Sequence, residues 1–232
     1  FDQFVSLSYQ PFDSEIFGFP FFRLTNLRNS FPCELKALSK LNFPSFGCDA
    51  KVLSTDLTSI TSLLREGFVH VCDQITLQTS PTKTKFKKDS SAKEVSSLSK
   101  LILSSHANNF HEDRLSRDSR ISNETVGRFY SKWISNSFSY TNKKVYSLAS
   151  GLCITQLKQD TLKIDLLSVL EKRKGFGTRI TGHILAHAAE TQVPRIEVTT
   201  ESDNKGALKT YSRNGFQEKQ KVSCFHFFHS KG

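Results

Sequence analysis

Over residues 1 to 79, apolar positions fall in short runs divided by turn signals. Phe12 to Pro20 reads as a loop leading into a strand at Phe21-Phe22-Arg23-Leu24. Ile60 to Glu66 has helical spacing closed by Gly67, and Val69 to Leu77 alternates as a half-buried strand with Val71, Asp73, Ile75 and Leu77 on one face. Pro81, several Ser and Thr, and Lys83, Lys85, Lys87, Lys88 and Lys93 then break the pattern, which predicts a linker. Helical spacing returns at Val95, Leu98, Leu101 and Ile102, and again from Glu124 to Asn136 with Val126, Phe129, Tyr130, Trp133 and Ile134. Val145 to Leu157 and Leu162 to Leu170 read as an antiparallel pair joined by Lys158-Gln159-Asp160-Thr161. The second of these strands runs into a basic, glycine-containing turn. Ile180, Ile184, Leu185 and Ala188 follow at helical spacing, and Ile196 to Thr200 reads as a further strand. The order predicts an α/β chain with a small N-terminal α/β domain over 1–80, a linker over 81–93 and a larger domain over 94–232.

Composition narrows the class. At 232 residues, 37% hydrophobic and 11% aromatic, the chain has apolar material for a core. Thirty-two Lys and Arg against 22 Asp and Glu leave a net charge of +10, a field that attracts anions and equally keeps a surface soluble. The basic residues are interspersed with acids except at 83 to 93 and 172 to 174, and neither zinc-finger spacing nor a basic zipper is present, so nucleic acid is not the expected partner. Cys33, Cys48, Cys72, Cys153 and Cys224 are odd in number and widely spaced, which predicts reduced thiols in the cytoplasm. His183 and His187 lie four apart without the Glu of a zinc-protease motif, so they read as packing or helix-surface residues, and no metal is expected. No apolar run reaches membrane-span length and no signal pattern opens the sequence. The absence of any Met predicts residues ahead of Phe1.

The turn from Lys172 to Thr178 carries the clearest chemistry. The first amides of a helix lack internal partners and sit at the positive end of its dipole, so a glycine turn there can hold an anion, with Lys172, Arg173 and Lys174 adding charge. A dinucleotide fingerprint would need a third glycine where Ile180 stands, and the nucleoside-triphosphate loop would need a Gly-Lys-Ser/Thr ending. Lys172-Arg173-Lys174-Gly175-Phe176-Gly177 instead resembles the Gln/Arg-x-x-Gly-x-Gly/Ala signature of the GNAT acetyltransferases, departing from it with Lys in first place. Asn204, Ala207, Tyr211 and Asn214-Gly215-Phe216 follow in the order of that family's second half, so the resemblance covers roughly the last third of the chain. It implies a GNAT fold with a mixed, largely antiparallel central sheet, and acetyl-CoA as co-substrate. The strand end at Ser168, Val169 and Leu170 would pair with pantetheine. Lys172, Arg173, Lys174, Gly175, Phe176, Gly177 and Thr178 would hold the pyrophosphate, Asn204 and Ala207 would flank the pantetheine, and Tyr211 would protonate the departing thiolate.

Two further stretches, Asp13 to Phe19 and His106 to Ser137, resemble the branch of this family that acetylates TDP-linked 4-amino-4,6-dideoxy sugars. The resemblance implies acceptor contacts at His106, Asn108, Phe110 and Arg114, a role in cell-surface polysaccharide synthesis, and allows a homodimer. Phe129, Tyr130 and Trp133 read as core. Asp165 and Glu171 lie near the site in sequence without a defined facing, so the amine's base stays open between them and water. Acetylation of a protein N-terminus or small amine, and a non-catalytic coenzyme A or partner-binding module, remain alternative readings.

Overall fold

A computed structural model describes residues 7–25, 35, 40, 43–81 and 87–230. The chain divides into two units, one of residues 1–74 with 221–232 and one of 75–220. The path crosses between them inside two strands.

In the first unit β1 (Leu7–Tyr9) pairs antiparallel with β2 (Phe21–Leu24), β2 runs parallel to β3 (Ser45–Leu53), and β3 pairs antiparallel with the Val222–Ser230 part of β10 (Gln217–Ser230). Phe22, Phe46, Cys48, Ala50 and Phe225 form its core with Leu63 of α2 (Leu57–Arg65) and Phe68. The phenylalanine-rich composition is spent here on ring packing: Phe17 stacks on Phe21 with centroids 4.9 Å apart. Asp49, 2% exposed, is matched by a bidentate Arg23 at 2.9 and 2.7 Å. Where a loop is expected, residues 11 to 17 form helix α1 (Pro11–Phe17), begun by a proline at its start and ended by Gly18 at φ 76°. Seven residues are too few for helical periodicity to register. Asp13 and Ser14 are buried in it, and Ser14 Oγ donates to the Gln10 carbonyl and accepts from the Phe21 amide.

In the second unit the strand order is β4 (Val69–Thr79), β9 (Arg195–Glu201), β8 (Thr161–Val169), β7 (Gly151–Lys158), β6 (Lys143–Leu148) and β5 (Lys93–Glu94). Its pairs from β5 to β8 are antiparallel and β8 with β9 is parallel, the mixed sheet of a GNAT fold. The expected strand from Val145 to Leu157 is a hairpin: Ala149 takes φ 49° and the chain reverses into Gly151. Helices α3 (Lys100–Ala107), α4 (Asn123–Ser137), α5 (Phe176–Glu190) and α6 (Lys205–Arg213) complete the unit, α3 and α4 capped by Ser99 and Ser122. Ile180, Ile184 and Leu185 of α5 are fully buried, each contributing about 1.5–3 kcal/mol. The sequence predicts the wrong face for α3. Leu101 is 78% exposed, while His106 and Ala107 are the buried pair.

The lysine-rich stretch ahead of β5 is tied down where it is described. Lys88 pairs with Glu190, Asp89 binds Arg179 at 2.8 Å, and His183 Nδ1–H donates to the Asp89 carbonyl at 3.1 Å. Hydrogen bonds from Arg179 and Ser91 hold the Asp89 carboxyl well below its ordinary range. Lys83 and Lys85 lie outside the described residues, as does Cys33. Cys48, Cys72, Cys153 and Cys224 are buried and joined in no disulfide. Among the described residues no helix is long and apolar enough to cross a membrane, and no three candidate ligands cluster for a metal.

One local pattern occurs in both units. Asp56, Leu63, Gly67 and Phe68 correspond at identical spacing to Asn204, Tyr211, Gly215 and Phe216. Asp56 accepts from the Ser59 amide and Asn204 from the Ala207 amide, each at 3.0 Å. Both helices end at a glycine of positive φ, 87° and 78°, before a buried Phe whose amide returns to the Leu63 or Tyr211 carbonyl. The strand after each helix, β4 or β10, starts in its own unit and finishes in the other.

Candidate active site

The site forms where two parallel strands part. β8 and β9 pair from Thr161↔Arg195 to Ile164↔Val198 and no further. Beyond that point β8 continues through Ser168 and Val169, and β9 through Glu201, without each other as partners. Backbone groups freed by such a fork are available to an extended amide chain. On the other edge β8 stays paired with β7, and the Leu170 amide donates to the Ser150 carbonyl at 3.0 Å.

Past the fork the chain turns through exposed Lys172, Arg173, Lys174 and Gly175 into α5. Arg173 has φ 64° and Gly175 φ 80°, and the helix starts without a side-chain cap. A Cβ on Gly175 would meet nothing within 4 Å, so its amide side is open. Gly177 is buried, and a Cβ there would stand in ordinary contact with Thr210 of α6 at 3.5 Å and Val169 at 3.6 Å. Phe176 is half-buried beside it, and the Thr178 carbonyl accepts from Asn214 Nδ2 at 3.3 Å. Asn214, fully buried, also donates to the Thr210 carbonyl at 2.9 Å and so ties α5 to α6. The sequence reading had placed Asn214 only in a helix-ending triplet. Asn204 Oδ1 is engaged as the cap of α6 through Ala207, which leaves its amino group as a donor.

Tyr211 is 3% exposed and packs in the apolar cluster with Cys153, Ile180 and Phe216. Burial, with smaller contributions from Cys153 and Glu201, pushes its phenol well above the ordinary value, so it stays protonated at any working pH. Glu201, 9% exposed, is a residue the sequence reading passed over. Its signal is a break in parity: Ile196, Val198 and Thr200 are the buried alternation of β9, and Glu201 is buried out of phase at the strand's end.

The predicted acceptor residues fall into three situations. His106, 3% exposed, places Nδ1 at 2.9 Å from Ser168 Oγ, and burial lowers its pKa so that it is neutral near pH 7. Asn109 Nδ2 joins it, donating to Ser168 Oγ at 3.1 Å and to the Val169 carbonyl at 3.2 Å. Asn108 is exposed, its amide 3.4 Å from Ser104 Oγ. Phe110 stacks on Tyr130 at 3.9 Å, and Tyr130 on Trp133 at 5.9 Å. Tyr130 is raised by burial and by Asp113, while the positive Arg114 acts the other way and Glu201 adds to the rise. Arg117 then holds Asp203 through two bonds of 2.8 Å, joining the acceptor-side loop to the loop after β9. Of the two carboxylates nearest in sequence, Asp165 is paired to Lys143 at 2.9 Å and Glu171 is exposed.

Residues 110–216, which include this fork, turn and helix, match the acetyltransferase (GNAT) family. Over those residues the chain is similar to GNAT acetyltransferases. No curated protein matches the sequence. Solved structures share the fold at low identity. A GCN5-related N-acetyltransferase from Sphaerobacter thermophilus is 9% identical with TM-score 0.60, covering 92% of this chain and 74% of that one. A conserved protein from Staphylococcus epidermidis is 12% identical with TM-score 0.62, covering 97% and 95%. A tandem GNAT protein from the clavulanic acid biosynthesis pathway is 10% identical with TM-score 0.57, covering 91% and 76%. The matched residues take in α4 as well as the fork, while His106 and Asn108 precede them.

Proposed function

We propose that this chain uses acetyl-CoA to acetylate the amine of a nucleotide-activated, TDP-linked amino-deoxy sugar. The observation that carries the acetyl-CoA half is the fork: β8, released from β9 before Ser168 and Val169, leads directly to an uncapped helix start flanked by Lys172, Arg173 and Lys174. The residues fit the group. Open backbone suits pantetheine amides, and an open Gly175 with three cations suits a pyrophosphate. Tyr211 donates a proton to the sulfur as the carbon–sulfur bond breaks, and a backbone amide near Val169 or Leu170 polarises the carbonyl. The Leu170 amide is engaged by Ser150, which favours the Val169 side.

The acceptor half rests on the resemblance from His106 to Ser137, on the +10 charge, and on the Phe110–Tyr130–Trp133 stack, in which Tyr130 is buried and the half-buried Phe110 and Trp133 are left to pack a sugar or base. The matching stretch at Asp13 to Phe19 adds nothing to it, since Ser14 there is consumed in capping contacts. The carboxylates of Asp113 and Glu201 near Tyr130 give a specific reason to keep a cationic amine or peptide N-terminus as second reading. Acetyl transfer onto TDP- and UDP-amino sugars, measured beside peptide amines and polyamines, separates them. A diphosphate acceptor gives a kcat/KM that falls with salt, because screening shortens the protein's reach to about 8 Å at physiological ionic strength. Acetylation of peptides or polyamines with every nucleotide sugar inert overturns the sugar reading.

A further inference from the structure

We propose that Asn109 is a positioning residue which, through Ser168, holds His106 as an Nε2–H donor for an oxygen of the acceptor. The acceptor is then an amine with a neighbouring hydroxyl or carbonyl, and not a bare polyamine. The inference deepens the acetyl-transfer reading above and rests on it, though not on the nucleotide.

Strand geometry brings the cluster together. β7 and β8 pair as Thr155↔Ile164 and then as Ile154↔Leu166, so Asp165 is an extra residue in β8. Such a bulge exchanges the faces of the strand. Before it, Leu162 and Ile164 pack in the cluster that includes Ile180 and Ile184 of α5; after it, Leu167 does so and Ser168 is turned to α3. Strict alternation would have set Ser168 beside Ile164. One residue on, Val169 stands opposite Gly151, and the Leu170 amide donates to the Ser150 carbonyl. In an antiparallel pair of that kind the N–H and C=O of Val169 point away from β7, to the side that β9 has left. Asn109 Nδ2 meets the Val169 carbonyl there at 3.2 Å, so the peptide between Val169 and Leu170 is held from both sides.

These bonds run in one direction. The Val169 carbonyl can only accept, so the Asn109 group beside it is the amino group, whose other hydrogen goes to Ser168 Oγ at 3.1 Å. Ser168 is 1% exposed, and the acceptor among its described partners for its own proton is His106 Nδ1 at 2.9 Å. A buried hydroxyl proton without an acceptor is unfavourable, so Nδ1 accepts. Burial keeps His106 neutral, which leaves its proton on Nε2. Among the described residues Nε2 has no partner, and it is not one of the sealed, unpartnered atoms, so this donor is open beside Ser168. Phe110, next after Asn109, begins the aromatic stack on the acceptor side. A neutral N–H matches a hydroxyl or carbonyl oxygen; the ammonium groups of a polyamine carry only donors and give it nothing to bind.

The test reads tautomer and acceptor together in the full chain. Nitrogen NMR of histidine-labelled protein near neutral pH, with His106 assigned by its loss in His106→Asn, should show Nε2 protonated and Nδ1 bare. Asn109→Asp puts an acceptor where the donor stood: Ser168 then donates to the carboxylate, and the His106 proton moves to Nδ1. The amine probes are a TDP-linked 4-amino-4,6-dideoxyhexose and the matched pair 2-aminocyclohexanol and cyclohexylamine. Wild type should favour the hydroxylated member of the pair about tenfold, the worth of one hydrogen bond, mostly through KM. His106→Asn, which keeps a polar group near the Nδ1 position and loses Nε2, should erase that preference while acetyl-CoA affinity by calorimetry stays within experimental spread. His106→Gln, which keeps a donor near the Nε2 position, should retain part of it. A wild type protonated at Nδ1, a preference that survives His106→Asn, or a tautomer unmoved by Asn109→Asp each overturns the proposal. An Asn109→Asp protein with a lowered melting temperature and an unmoved tautomer makes Asn109 structural. A wild type that acetylates neither these probes nor a peptide amine overturns the acetyl-transfer reading itself, and the tautomer spectra tell that failure from one of the hydrogen-bond chain.

Discussion

The two segments from 45 to 79 and from 195 to 230 use one local design, strand, capped helix, positive-φ glycine, buried Phe and strand, yet only one adjoins the proposed active site. The contrast lies in what the helix points inward. Leu63 is fully buried in the first, and Tyr211 occupies the corresponding place in the second. The lead-in differs too. Between β2 and β3 the sequence has no glycine, whereas between β8 and β9 Gly175, at φ 80°, allows the open turn. Shared capping and shared glycines thus meet the requirements of the fold, and the proposed chemistry falls to residues that differ at matched places.

Exchanging the matched residues tests this most severely. Tyr211→Leu makes the second segment like the first, and kcat should fall about a hundredfold or more, equivalent to about 2.7 kcal/mol, with acetyl-CoA affinity kept. Wild-type turnover in an assay limited by chemistry would return Tyr211 to a packing role. Leu63→Ala should act on stability alone, costing about 2–5 kcal/mol in denaturant unfolding.

Gly67→Ala and Gly215→Ala should each cost about 1–2 kcal/mol, since both force a side chain into the left-handed region. Equal losses confirm a common backbone requirement; a loss at one alone breaks the correspondence. Asp56→Ala and Asn204→Ala should each cost about 1 kcal/mol of stability. Only Asn204→Ala should also raise the KM for acetyl-CoA, and a rise in both removes the functional distinction between the caps.

Acid titration separates the units by the smallest effect. In the first, hydrogen bonds from Ser223, His70 and Lys221 outweigh the burial of Asp73 and lower its carboxyl to about 2. Its contribution is complete above the ordinary value of 3.8 and is lost as pH falls from there through about 2, by about 1 kcal/mol after screening by water. In the second, His106 is lowered from 6.5 by burial, so protonation favours the unfolded chain as soon as pH drops below 6.5. Hydrogen exchange of α3, corrected for the intrinsic rate, should therefore rise as pH falls below 6.5 while β3 stays protected. Simultaneous loss contradicts the assignment.

The turn from Lys172 to Gly177 and the helix after it were legible because glycine, charge and helical spacing are local signals. The hairpin at Ala149-Ser150 was not, because its φ 49° is taken by an alanine rather than a glycine. The face of α3 was misread since Leu101 and Ile102 mimic a core stripe, while the buried contact is a hydrogen bond from α3 to Ser168, distant in sequence. Glu201 escaped for a similar reason. A carboxylate at a strand end looks like a solvated terminus until the neighbouring strands are known to part there. β10 was not read at all, because Gln217 to Lys221 is polar and only Val222 onward carries the apolar pattern.

The exchanged strands set an order of events during synthesis. β3 emerges early from the ribosome, but the segment that pairs with it from Ser45 to Leu53 is Val222 to Ser230, which is translated long afterwards. Until then β3 offers an unpaired edge bearing Phe46, Cys48, Ala50 and Val52, the kind of edge that recruits other chains. The first unit to be made is consequently among the last to be finished, and a nascent chain stalled before residue 222 should be a substrate for chaperones rather than a folded half.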